Sequence, residues 1–598
     1  MTHTWKHAMS RTRTRTGTRT TRTYLPFAAA IALAACHPAA VNVGTAPAEP
    51  PRIAATFPAS WRFQPGATAS FAQHGMVSSN DSIASRVGRD IMARGGNAVD
   101  AAVATGFALA VTYPFAGNIG GGGFMVIRMA DGRSAALDYR EIAPLAASRN
   151  MYLDANGNLT RKSIIGHLAV GVPGSVAGMN DALRRYGTMS LHDVIAPAIE
   201  LAERGFVVDS TFVRQLQGYQ RTITQFEGGR LFFPGGHVIQ PGTRLVQPEL
   251  GWTLRQIAEQ GPDGFYHGPV ADSLVAEMKR GGGIITLQDL SNYKSVWRTP
   301  VQGTYRGHTI ISMPPASSGG ITMMETLNIL ETWDTPAPFG STQWAHRLAE
   351  AYQRAFLDRN NKLGDPAFIS VPQAQLTSKA YARQLRAKID EHHHTPTATL
   401  VASREPMHTT HYSVVDGNGN AVATTTTLNN GFGSGVWVRG AGFFLNDEMD
   451  DFASKPGSPN MFGLVQGEQN AIAPGKRMLS AMTPTVVLDP SNHVLLVVGG
   501  AGGPTIITGT SQVILNVIDY RMSLADAMRA PRLHHQSLPD SLSYERGGLS
   551  PAVLDSLRAM GHAMRQVPSL VNVNAIMRVQ GGWDGVFEPR SRGGAIGY

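Results

Sequence analysis

The chain has 598 residues, a formal net charge of +9, 42% hydrophobic and 16% charged residues, and 65 glycines. This is the composition of a globular protein rich in tight turns, long enough for a large core or several domains. Lys6, Arg11, Arg13, Arg15, Arg19 and Arg22 fall in residues 1–35 with no acid among them, so beyond the leader 46 bases face 43 acids; the basicity gives no support to a nucleic-acid partner.

Residues 1–35 read as a secretory signal, with a basic start and an apolar run from Leu25 to Ala35 that is too short to span a bilayer. The Arg-Thr alternation from Arg11 to Thr23 is low-complexity, which leaves Met9 open as an alternative start. No two arginines are adjacent, so a twin-arginine route is not indicated. The run Leu33-Ala34-Ala35-Cys36 resembles the bacterial lipobox, whose cysteine is lipidated and becomes the mature N-terminus; ordinary signal cleavage is the alternative. The expectation is an exported, periplasmic protein attached to a membrane through lipidated Cys36. Cys36 is the only cysteine, which excludes disulfides, thiolate metal sites and a cysteine nucleophile from the mature body. Residues 36–60, rich in Ala, Pro and Val, read as a flexible tether.

From Gly75 the pattern turns globular. Ser82 to Arg94 predicts an amphipathic helix, and Asn97 to Val111 a nearly all-apolar one that must be buried. Further helices are expected at Ser175–Tyr186, Leu191–Arg204, Leu254–Glu259, Ala271–Arg280 and Gln343–Leu357. Beyond residue 409 the character changes to short β-rich runs, Thr410–Val415, Ala421–Leu428, Thr485–Leu488 and Val494–Val498, separated by Gly/Asn/Asp turns. Helices resume at Thr508–Ile518 and Pro551–Met560. Helices layered around sheets suit such a mix.

The boundary at 409 carries chemistry. A polar run from His392 to Met407 ends where the alternating strand Thr409-Thr410-His411-Tyr412-Ser413 begins. A threonine placed there can attack the preceding carbonyl, cut the chain, and then use its released amine as base for its own hydroxyl. That amine would titrate at roughly 7.7–8.0 before perturbation. The bland reading is a good β-former, and the sequence alone does not decide between Thr409 and Thr410.

Further motifs occur in a fixed order: Gly117-Asn118-Ile119-Gly120-Gly121-Gly122-Gly123-Phe124-Met125, Asp138-Tyr139-Arg140-Glu141, the Thr409 strand, Asn446-Asp447-Glu448-Met449-Asp450-Asp451-Phe452, Pro531-Arg532-Leu533-His534-His535-Gln536, Glu588-Pro589-Arg590 and Gly597-Tyr598. From Gly75 to Tyr598 the chain resembles γ-glutamyltranspeptidase, a family of N-terminal-nucleophile hydrolases. The resemblance implies an α+β fold, a four-layer αββα sandwich, and a precursor that cuts itself between His408 and Thr409. The products would be a large subunit, folded over 61–408, and a small subunit of 409–598, paired with each other.

It also implies roles. Thr409 would be the nucleophile, with Thr427 and Asn429 orienting it; the alternative for Thr424 to Thr427 is a solvent-facing strand. Alternation puts Thr425 and Thr427 on one face. Arg140 would take a donor's α-carboxylate, and Glu448 and Asp451 its ammonium. Ser480 matches a carboxylate-binding serine, but the second serine the family often has is Ala481, which removes a hydrogen bond of about 1 kcal/mol. Gly502 and Gly503 would offer backbone N–H groups to an oxyanion. The segment Pro456 to Lys476 has the length of a lid loop, with Phe462 where a lid tyrosine is often found.

The expected activity is γ-glutamyl transfer from glutathione or a related compound to water, an amino acid or a dipeptide, with no cofactor and no metal. The alternatives are a β-lactam side-chain (glutaryl or cephalosporin) acylase on the same scaffold, and a non-catalytic binding lipoprotein. Three signals read as decoys. Gly120–Gly123 lacks the Lys-Ser/Thr of a phosphate loop. Gly174-Ser175-Val176-Ala177-Gly178 has its serine one place off for a nucleophile elbow. His392-His393-His394 and His534-His535 lack metal-ligand spacing, the first read as a solvated linker and the second as structural.

Overall fold

Two seven-stranded antiparallel sheets form the centre of the computed structural model, which describes residues 52–397 and 409–598. The leader, Cys36 and His408 lie outside the described residues. One sheet runs Gly594–Gly597, Met76–Ser79, Thr410–Val415, Ala421–Thr427, Gly122–Arg128, Ser134–Tyr139, Val296–Arg298. The other runs Ser70–Ala72, Gly582–Val586, Asn572–Val579, Val494–Ala501, Thr485–Leu488, His308–Ser312, Val301–Tyr305.

The layering follows from the period of two along each strand. Tyr412, Val414 and Val422 face an outer helical layer containing Ala98–Thr112, where they meet Val99, Val103 and Phe107. Val415, Ala421 and Ala423 face the opposite way, into a dry seam between the sheets with Val486, Val497 and Ile576. On the far side, Val487, Leu496 and Val573 meet the helices Gly319–Leu330, Thr342–Lys362 and Thr505–Ile518. Helix, sheet, sheet, helix: the expected αββα sandwich is present.

The apolar helix expected after Asn97 is buried over its whole length, Ala98–Thr112. Asn97 starts it with a capping box against Asp100, whose carboxylate also accepts from Thr188 N and Oγ1, at 2.9 and 2.6 Å for the nearest oxygens. The motifs at Pro531–Gln536 and Glu588–Arg590 join in a buried ionic cluster, with Arg532 paired to Glu588 at 2.8 Å and Arg590 to Glu545 at 2.7 Å. Removing one partner of such a cluster strands a buried charge.

The folded body begins before residue 61. Ile53 N donates to Arg521 O at 2.8 Å and Trp61 Nε1 to Arg529 O at 2.8 Å, so the last residues of the expected tether are docked on the fold. Several strands carry no clear sequence signal, among them Gly122–Arg128 and Ser134–Tyr139, and so do the helices Ser210–Ile223 and Gly319–Leu330.

Candidate active site

The register of two adjacent strands brings the threonines together. Thr410 pairs with Thr426 and His411 with Thr425, which sets Thr409 beside Thr427 at the strand end, on the face turned toward the second sheet. Thr427 Oγ1 donates to Thr409 Oγ1 at 3.3 Å and accepts from Asn429 N at 2.8 Å. Thr410 points elsewhere, to Asn80 Oδ1 at 3.0 Å. Thr409 borders the cavity of this site, and Thr410 is not among its lining residues. All four residues Thr424 to Thr427 are buried, which rules out the solvent-facing reading.

His411 holds the strand from beneath. Its ring bonds Thr425 Oγ1 at 2.8 Å and Ser413 Oγ at 3.1 Å, and burial pushes its pKa down to about 3, so it is neutral. The ring fills the space that a side chain at Gly499 would need; a Cβ there would stand 2.3 Å from His411 Cε1.

Thr409 and Thr427 line a cavity of about 20 Å³ together with Arg140, Arg359, Asn429, Glu448, Asp451, Phe462, Ser480, Ala481 and Gly503. Arg140 follows the strand Ser134–Tyr139 and is fully buried, ion-paired to Glu448 Oε1 and Asp451 Oδ2. Burial alone would lower its pKa, but Glu448, Asp451 and Glu141 hold it above the ordinary arginine value. Burial likewise raises Glu448 and Asp451, while Arg140 opposes the shift. Arg140 is therefore paired within the site, where it stands between Glu448 and Asp451. A zwitterion entering the cavity can exchange with these pairs without stranding a net charge.

Two polar atoms of this cavity's lining have no partner among the described residues, Glu448 Oε2 and Arg359 Nη2. Ser480 Oγ accepts from Met482 N at 3.1 Å, leaving its own proton free to donate. Asn429 sits at φ +77°, a conformation asparagine tolerates, and its amide nitrogen donates to Asp447 O at 3.0 Å. It reaches Thr427 through its main chain rather than its side chain. Gly503 and Pro504 line the cavity at the start of the helix Thr505–Ile518; Gly502, at φ +148°, is not among the lining residues, and its carbonyl accepts from Thr505 Oγ1 at 2.6 Å. Of the expected glycine pair, only Gly503 borders the cavity. Phe462 closes it from the segment Pro456 to Lys476, held by Gln536 Nε2 donating to Gly463 O at 3.1 Å.

The family model described as Gamma-glutamyltranspeptidase matches residues 84–598. A glutathione hydrolase proenzyme of Escherichia coli (strain K12) is 47% identical over 529 residues, covering 87% of this chain and 91% of the relative. One from Pseudomonas sp. (strain A14) is 50% identical, covering 82% and 86%. The chain belongs to the γ-glutamyltranspeptidase family. Among solved structures, a cephalosporin acylase from Bacillus halodurans superposes with a TM-score of 0.80 at 28% identity, covering 90% of this chain and 99% of that one.

Arg359 went unrecognised in the sequence. It lies on the helix Thr342–Lys362, where charged residues on a buried face are the available signal. His394 is a correction: it is not part of a solvated linker. Its side chain is only 5% exposed, with Nδ1 bonded to Glu350 Oε1 at 2.8 Å and Nε2 to Asp540 Oδ1 at 2.8 Å; His392 and His393 are exposed. The fold also gathers His394 with His535 and Asp540, and His346 with Glu350 and His562. Their donor atoms are already engaged. His535 Nδ1 accepts from Ser537 N at 3.1 Å, which leaves the proton on Nε2 facing Asp540, and both Glu350 oxygens accept from Thr395 and its neighbours.

Proposed function

We propose that this protein is a γ-glutamyl hydrolase and transferase whose nucleophile is Thr409, exposed as an N-terminus by self-cleavage after His408. The observation that carries the reading is the placement of the Thr409 hydroxyl against Thr427, in a cavity whose Arg140, Glu448 and Asp451 match the two charges of a γ-glutamyl donor.

In the cut protein the Thr409 amine takes the proton of its own hydroxyl as Oγ attacks the donor's γ-carbonyl carbon. The carbonyl oxygen gains negative charge beside Gly503 and the N-terminal turn of Thr505–Ile518, whose dipole favours it. The C–N bond then breaks, and the departing amine takes the proton from the Thr409 ammonium. A γ-glutamyl ester remains. Water, or the amine of an amino acid or dipeptide, attacks that ester, gives a proton to the Thr409 amine, and restores the hydroxyl. Glutathione fits the donor role because its glutamyl α-carboxylate and α-ammonium are both free.

The sequence of the leader and Cys36 supports export to the periplasm and attachment through a lipid. The test of the whole reading compares wild type with Thr409→Ala by electrophoresis and by turnover of γ-glutamyl and glutaryl anilides. The expected result is two chains and γ-glutamyl turnover in wild type, and one uncut, inactive chain in the variant. An uncut or γ-glutamyl-inactive wild type refutes the reading, and preference for the glutaryl compound reassigns the protein to side-chain acylase activity.

A further inference from the structure

The donor cavity is lined by a second guanidinium, that of Arg359. Arg359 is 1% exposed, and burial lowers its pKa to about 10, with Asp451 opposing the shift. Nε donates to Ser318 Oγ at 3.1 Å, and Nη1 to Asn360 Oδ1 at 3.0 Å and Gln466 Oε1 at 3.2 Å. Every one of these partners is neutral. Nη2 has no hydrogen-bond partner among the described residues. A buried cation whose hydrogen-bond partners are all neutral and whose Nη2 is unpartnered is costly, and the cost is recovered when a ligand anion meets it.

The position of Arg359 indicates which anion. Ser318, which accepts from Arg359, donates from Oγ to Ser480 O at 2.6 Å and from N to the same oxygen at 2.8 Å. The guanidinium is therefore tethered through one serine to the Ser480–Ala481 corner of the cavity. At that corner Ser480 offers a hydroxyl and Ala481 offers none. Opposite in character is the other vacant atom, Glu448 Oε2, an acceptor on the side where Arg140 is already paired with carboxylates. One vacant donor and one vacant acceptor match a carboxylate and an ammonium carried on one carbon.

We propose that Arg359 is a second carboxylate-binding group of the donor site, donating Nη2–H to the donor's α-carboxylate beside Arg140 and Ser480 and making up for the hydroxyl absent at Ala481. The inference rests on the γ-glutamyl reading above and extends it. It assigns selection of the α-carboxylate to two arginines instead of one arginine and two serines.

The experiment measures kcat and KM of wild type, Arg359→Gln and Arg359→Lys on γ-glutamyl-p-nitroanilide and on 4-aminobutyryl-p-nitroanilide, which lacks only the α-carboxylate. Inhibition constants for glutamate and 4-aminobutyrate supply the same comparison where turnover is slow. Self-cleavage into two chains reports that each variant has folded. Arg359→Gln is expected to raise KM for the γ-glutamyl donor and Ki for glutamate about 10- to 100-fold, the loss of one hydrogen bond to a charged group. The compounds without the carboxylate should change less than about 2-fold, Arg359→Lys should fall between, and Ala481→Ser should recover part of the loss in the Arg359→Gln background. Equal losses on both compounds would mean that Arg359 only braces Ser318 and Gln466, and would overturn the inference while leaving the γ-glutamyl reading intact. Absence of any recovery by Ala481→Ser would overturn the compensation. A wild type without γ-glutamyl turnover removes both readings together.

Discussion

Replacing Thr427 by valine keeps the shape of the side chain and deletes the hydroxyl that links Asn429 to Thr409. Two consequences follow from the distances. The amide of Asn429, buried and bonded to Thr427 Oγ1 at 2.8 Å, loses its acceptor, which costs on the order of 1–3 kcal/mol of stability. The bond to Thr409 Oγ1, at 3.3 Å, is long in the resting site and weak there. It strengthens when negative charge builds on Thr409 Oγ as the ester forms or breaks, because charge-assisted bonds are roughly twice as strong as neutral ones. A transition-state loss of about 1.5–3 kcal/mol corresponds to a fall in kcat of about 10- to 100-fold. KM should move little, since Thr427 meets the nucleophile and not the donor's charged end. The assay is steady-state turnover of γ-glutamyl-p-nitroanilide on fully cut protein, with a thermal melt alongside and Thr427→Ser as control. Serine retains the hydroxyl and should keep most of the activity. If Thr427→Val stays within about 2-fold of wild type, or if Thr427→Ser is as impaired as Thr427→Val, the hydroxyl does not act on Thr409 and the reasoning fails.

Gly499→Ala would press a methyl to 2.3 Å from His411 Cε1, and the ring is fixed by Thr425 and Ser413. A stability loss of about 1–3 kcal/mol or more is expected with slower self-cleavage, read from a melt and a time course by electrophoresis; a wild-type melting temperature would show that the ring can move aside. Acid stability offers an independent check. His411 and His562 are held near a pKa of about 3 by burial, with the neighbouring His394 and His346 adding to the shift at His562. Below about pH 6.5 the unfolded chain binds protons at these sites that the folded one does not, so stability is complete above that pH and declines on acidification by up to about 1.4 kcal/mol per unit for each histidine. Glu350 and Asp540 raise the pKa of His394, whose contribution has the opposite sign: it is present at low pH and lost as pH rises through the folded-state value. His562→Gln should make the melting temperature less dependent on pH between 4 and 6.5, and an unchanged slope would remove His562 from the account.

The sandwich was legible where pattern and burial agree. Thr410–Val415 and Thr485–Leu488 alternate between two apolar environments, and Ala98–Thr112 is apolar all round because it is enclosed. Gly122–Arg128 was hidden by its first glycines, which belong to the run Gly120–Gly123 that looks like a phosphate loop. A Cβ on Gly122 would lie 2.6 Å from Tyr139 O, and one on Gly123 2.4 Å from Thr425 O, so these glycines permit tight strand packing and do not make a bend. In the site, Arg140, Glu448 and Asp451 could be proposed because they match positions of the family that the sequence resembles and one zwitterion accounts for all three. Arg359 could not, because its partners Ser318 and Gln466 are 41 and 107 residues away and only the fold brings them to it. His394 failed as a linker residue for the same reason: Asp540 lies 146 residues on.

The order of strands constrains what self-cleavage can do. Each sheet mixes strands from both sides of residue 409. Thr410–Val415 lies between Ala421–Thr427 and Met76–Ser79, while Gly594–Gly597 closes the sheet against Met76–Ser79. In the other sheet Thr485–Leu488 pairs with His308–Ser312, and Gly582–Val586 with Ser70–Ala72. A cut before Thr409 leaves every one of these ladders in place, and the two products cannot part without dismantling both sheets. The interleaving holds Thr427 beside Thr409 with the bond before Thr409 intact, and the ladders on either side do not depend on that bond. The amine released by the cut then appears inside a finished site and has no distance to travel. On the proposed mechanism one hydroxyl serves first to cut the chain and then to turn over substrate: the two reactions share a nucleophile and its surroundings, and only the second has the released amine as base.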